Sequence, residues 1–77
     1  MEAEAFERSL RAFTRRKPFQ PFMVELVSGT RLLIEHPEAL IFRTKVAVYV
    51  DKDNEITHFD NTGVSKITTD IDTTAAK

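Results

Sequence analysis

The sequence predicts a small α+β domain, mainly β: an N-terminal helix followed by five antiparallel strands closed into a small barrel. Three observations carry this. Ala3, Phe6, Leu10 and Phe13 recur at spacings of three, four and three, which puts them on one helix face. Beyond residue 21 the apolar pattern changes to alternation with period two, the mark of half-buried strands. Turn-forming clusters at Ser28-Gly29-Thr30, Asp51-Lys52-Asp53-Asn54 and Asn61-Thr62-Gly63 punctuate that alternation.

The helix is expected over residues 2–16. Glu4 precedes Arg8 by four residues and Glu7 precedes Arg11 by four, the favourable orientation, worth about 0.2–0.5 kcal/mol a pair. Acids lead and bases trail, which suits the helix dipole. Pro18 ends the helix, because the residue before a proline is pushed to extended geometry. Lys17-Pro18-Phe19-Gln20-Pro21-Phe22 then forms a strap, stiffened by two prolines and anchored by two phenylalanines.

Phe22, Val24 and Leu26 alternate with Met23, Glu25 and Val27 to make the first strand, and residues 31–36 return. A two-residue Ser28-Gly29 loop would set Leu26 against Arg31 and mix core with solvent faces. A three-residue loop, Ser28-Gly29-Thr30, sets Leu26 against Leu32, Val24 against Ile34 and Phe22 against His36. Register follows the buried face, so three residues are expected, with Gly29 or its neighbour in a bulge and Gly29 at positive φ. Pro37 removes a ladder donor and interrupts the second strand, which resumes over residues 40–43. Further strands follow at 46–50, 55–60 and 64–69. The expected core is Val24, Leu26, Leu32, Ile34, Val48 and Ile67, with Phe6, Leu10 and Phe13 as a lid. The domain is expected to span residues 1–72, with 73–77 a frayed tail.

Composition narrows function. The chain has 77 residues, net charge −1, no cysteine and two histidines. Disulfides and thiolate metal sites are thereby excluded, and no cofactor is expected. No apolar run reaches the length of a membrane span, and the start lacks a signal peptide's basic and apolar regions, so the expected location is cytoplasmic. So small a domain needs a staple, and association is the one left open. A homo-oligomer or protein complex is therefore expected. The free strand edges, Glu55–Asp60 or Val64–Thr69, are where it would form, with Ile56, Phe59 and Val64 as candidate interface residues.

Other candidate sites are weaker. Arg8, Arg11, Arg15, Arg16 and Lys17, with His58, are candidate nucleic-acid contacts, and Tyr49 is the one candidate stacking platform. A solvated, dipole-matched helix face accounts for the same arginines. Asp51-Lys52-Asp53-Asn54-Glu55 begins like a calcium loop, but Ile56 and Thr62 stand where glycine and glutamate are required. His36 beside Glu35 and Glu38, and His58 beside Asp60, have no nucleophile accompanying them, and no enzyme is expected.

The order of elements, with Val24-Glu25-Leu26-Val27-Ser28-Gly29-Thr30-Arg31-Leu32, resembles the strand–glycine–strand signature of the Sm-like fold, which includes the bacterial RNA chaperone Hfq. His58 and Val64-Ser65-Lys66-Ile67 are similar to the last two Hfq strands, and the resemblance spans residues 6–69. It implies an SH3/Sm-like small barrel, strands that join subunits into rings, and RNA as a ligand. Thr57 stands where Hfq carries the lysine that helps its histidine bind uridine. Arg16–Phe22 with His36-Pro37-Glu38 also resembles a group of small bacterial proteins, a resemblance that implies no function. The expected function is a non-catalytic small-barrel interaction module, and the rival expectation is an Sm-like RNA binder.

Overall fold

The structure, a computed structural model, describes residues 1–69. The predicted tail at 73–77 lies outside the described residues. Over the described residues the fold is α+β and mainly β, with one N-terminal helix and six strands in two antiparallel sheets.

Helix α1, Ala3–Thr14, buries Phe6 and Leu10 completely and packs Phe13 against the same core. The Glu7–Arg11 pair forms at 2.9 Å. Three aromatic contacts fix the helix and strap to the sheets. Phe6 meets Phe59 edge-on at 6.1 Å, Phe13 stacks on Phe22 at 5.1 Å, and Phe19 meets Phe22 edge-on at 6.1 Å.

Strands β1 (Phe22–Leu26), β2 (Arg31–Ile34) and β6 (Val64–Thr68) form the first sheet, in the order β2-β1-β6. Strands β3 (Leu40–Arg43), β4 (Val46–Val50) and β5 (Ile56–Asp60) form the second, in the order β3-β4-β5. The chain crosses from first to second sheet through a 3-10 turn at Pro37–Ala39 and returns through another at Asn61–Gly63. The expected closed, five-stranded barrel is therefore corrected to six strands in two separate sheets. Pro37 explains the extra strand. It opens the first 3-10 turn, where its missing N–H costs nothing, and the redirected chain joins a different sheet instead of continuing one bent strand.

The β1–β2 hairpin has the expected three-residue loop, placed one residue earlier, at Val27-Ser28-Gly29. Leu26 N–H donates to the Thr30 carbonyl at 2.8 Å, and Gly29 N–H donates to the Leu26 carbonyl at 2.9 Å. Val24 therefore faces Leu32 and Phe22 faces Ile34. The shift from the expected register is two residues, so the buried face is unchanged. Gly29, at φ +96°, occupies the last loop position, the one that needs a positive φ, and this fixes where the loop begins.

Between the sheets and the helix lie Phe22, Val24, Ile34, Leu40, Ala47, Tyr49, Phe59 and Val64. Leu26, Leu32, Phe13 and Ile67 are half-buried against them. Val48 is a correction to the expected core. Ala47 and Tyr49 point inward along β4 instead, at 2% and 3% exposure. Ala47 sits between Phe42 and Phe59 on the neighbouring strands, where two large rings leave room for one methyl. Tyr49 reaches across the core, and its hydroxyl accepts the Glu35 N–H at 3.2 Å.

Candidate functional site

Register assigns each side chain of the second sheet to a face. Ala47 pairs with Phe42 and Phe59, and Tyr49 with Leu40 and Thr57, on the core side. The opposite side then carries Ile41, Val48 and His58 in one row, Arg43, Val46 and Asp60 in the next, and Val50 with Ile56 in a third. Ile41, Val46 and Ile56 on this outer face are 69%, 56% and 60% exposed. Val48 and Val50 lie between them, half-buried by their neighbours.

The first sheet differs on its outer side. There Met23 pairs with Leu33, and Glu25 pairs with Arg31 on one neighbour and Lys66 on the other. Lys66 Nζ lies 3.8 Å from the Glu25 carboxylate. One sheet thus has the apolar-in, polar-out pattern of a solvated antiparallel sheet. The other is apolar on its core side and, on its outer side, carries Ile41, Val46, Val48, Val50 and Ile56 with Arg43, His58 and Asp60 at the flanks. Contiguous apolar surface of this kind marks interaction sites in folded proteins.

Beside the outer face is a cavity of about 520 Å³, lined by Leu26, Val27, Val46, Val48, His58 and Gly63 among others. It lies where the β1–β2 hairpin tip approaches β4 and β5. Val27, displaced into the turn by the loop placement, is 69% exposed there.

The sequence-predicted residues fall as follows. Ile56 lies on the apolar outer face. Phe59 and Val64, read as interface groups, are core residues at 8% and 1% exposure, because alternation turns both toward the helix and the opposite sheet. Strands β5 and β6, expected as free edges, are edges of their sheets, as are β3 and β2. Arg8, Arg11, Arg15, Arg16 and Lys17 are exposed on the helix and strap, whereas His58 is exposed on β5. Among the described residues no hydrogen bond or ion pair joins the two groups. Arg11 pairs with Glu7, and the Arg16 guanidinium lies 5.6 Å from the Phe13 ring centre. Tyr49 is buried, so it offers no stacking face.

Asp51 and Asp60 hold their own turns. Asp51 Oδ1 accepts the N–H groups of Asp53 and Glu55, both at 2.9 Å, closing the β4–β5 turn. Asp60 Oδ1 accepts the Gly63 N–H at 3.0 Å and the Thr62 hydroxyl at 2.9 Å, capping the second 3-10 turn. His36 Nδ1 lies 3.7 Å from Glu38, with both side chains exposed. Among the described residues no three His, Cys, Asp or Glu side chains cluster as a metal site, and no helix is long and apolar enough to cross a membrane. Sequence reasoning missed Ile41, Val46 and Val48 as surface groups. The available signal was the run Val46-Ala47-Val48-Tyr49-Val50, which is apolar at every position and so marks a strand covered on both faces.

Compared with protein-family models, with curated proteins and with solved structures, the chain matches none.

Proposed function

We propose that the chain is a non-catalytic protein-interaction module that docks through the outer face of its second sheet, in an oligomer or as a small subunit of a complex. One observation carries this: Ile41, Val46, Val48, Val50 and Ile56 form a continuous aliphatic surface across all three strands, with Arg43, His58 and Asp60 at its flanks. Covering what is exposed of Ile41, Val46 and Ile56 is worth about 1–2 kcal/mol each. The adjoining cavity offers room for a side chain from a partner. An RNA-binding role draws on the five exposed cations of residues 8–17 and on His58, while Tyr49, the expected stacking platform, is buried.

A photo-activated crosslinking residue at position 46, compared with one at position 33 on the outer side of the first sheet, tests the proposal in cells producing the chain. Position 46 is expected to give protein adducts of discrete mass and position 33 few. Equal yields at both positions, or no protein adduct at 46, would overturn it.

A further inference from the structure

The outer face of the second sheet carries two opposite charges in one row. Arg43 on β3 and Asp60 on β5 are both register partners of Val46, so they flank it at the same height along the strands. Among the described residues neither pairs with an opposite charge: Arg43 forms no salt bridge, and Asp60 serves as a turn cap. A surface built this way is complementary to itself under one particular rotation.

We infer that the partner of this face is a second copy of the chain, packed sheet on sheet about a two-fold axis parallel to β4. This rests on the reading of the face as a docking surface and names its occupant. A two-fold axis along β4 exchanges the β3 and β5 sides while preserving height. Arg43 then lies over Asp60 of the second copy, and Asp60 over its Arg43. Val46 meets Val46, Val48 meets Val48, and Ile41 covers His58. An axis across the strands keeps β3 over β3 and reverses height, which leaves Arg43 and Asp60 over uncharged positions. Charge complementarity therefore selects the first arrangement, and the valines of β4 supply its apolar centre. Sheets stacked this way sit about 10 Å apart, within reach of an arginine meeting an aspartate. The contact is isologous, so it closes at two subunits and leaves no repeating surface for a filament. A face of three short strands is at the small end of specific interfaces, and the dimer is expected to dissociate in the micromolar range.

Sedimentation equilibrium of the full chain across that range tests the inference. The wild type is expected to shift between 8.8 kDa and twice that mass. Arg43→Asp places aspartate over Asp60 twice, and Asp60→Lys places lysine over Arg43 twice. Each is expected to weaken self-association by about tenfold or more. An equimolar mixture of the two is expected to restore the dimer, because every facing pair is then opposite in charge. Asp60 also caps a turn, so circular dichroism accompanies each variant. The double variant Arg43→Asp/Asp60→Asn keeps the capping oxygen, removes the repulsion, and is expected to associate more tightly than Arg43→Asp alone. Folded variants whose mixture stays monomeric, or a dimer indifferent to these charges, would overturn the inference. A wild type monomeric throughout that still crosslinks from position 46 to a different protein would overturn the second copy and leave the docking face standing. A monomer with no adduct at 46 would sink both.

Discussion

Gly29 holds φ at +96°, and a β-carbon added there would meet nothing within 4 Å. The demand for glycine is therefore conformational and owes nothing to crowding. Gly29→Ala is expected to lower unfolding free energy by about 1 kcal/mol or more in urea, with the m-value unchanged. An undiminished midpoint would mean that the hairpin does not need its left-handed position. Tyr49 makes the opposite kind of demand. Its ring is packed inside, and its hydroxyl is the acceptor for the Glu35 N–H at the end of β2. Tyr49→Phe keeps the packing and strands that amide, so a loss of about 1 kcal/mol is expected in the same assay. No loss would show that water serves the amide equally well. The two residues were not equally legible. Gly29 announces itself, since a glycine between two alternating runs has few other uses. Tyr49 lies in a strand with no polar residue, and nothing local says whether its ring faces in or out.

Elements were read as well as their periodicity allowed. The helix was clear because its apolar spacing is matched on the other face by charged residues, and its observed ends, Ala3 and Thr14, fall inside the expected 2–16. The first hairpin kept its buried face although its loop moved by one residue, because a two-residue shift preserves parity. Strand β4 defeated the same test. With valine at 46, 48 and 50 and apolar residues between, alternation gives no phase. The choice is made by its neighbours, since Phe42 and Phe59 flank the position that the small Ala47 fills. This phase has a sharp consequence along one pair of strands. Phe59→Ala should cost about 3–5 kcal/mol, because it opens a cavity beneath Phe6. Val46→Thr, on the outer face, should change the stability of the isolated subunit by no more than about 0.5 kcal/mol. Chemical denaturation at high dilution checks both, and a larger loss at Val46 than at Phe59 would reverse the assignment of faces.

At the scale of the whole molecule, two three-stranded sheets and one helix bury a core of ten residues among the described residues. The sequence was legible up to the number of strand segments and not beyond. Whether Pro37 bends one strand or divides two depends on which strands pair at a distance, and pairing is not a local property. The aliphatic outer face was hidden for the same reason as the phase of β4, since a surface cannot be seen until the inside is known. Expected interface residues Phe59 and Val64 went to the core, while Val46 and Ile41 came to the surface. The account therefore turns on a single assertion: the outer face of the second sheet is aliphatic, open in the isolated subunit and covered on association. Paramagnetic relaxation of methyl resonances by a soluble probe, recorded at low and high protein concentration, tests it most directly. At low concentration the methyls of Ile41, Val46 and Ile56 should be strongly broadened and those of Leu10, Val24 and Val64 protected. At high concentration the first group should become protected while Leu33, on the outer side of the first sheet, stays accessible. Methyls of Val46 and Ile41 shielded at every concentration, or exposed at every concentration, would contradict the account.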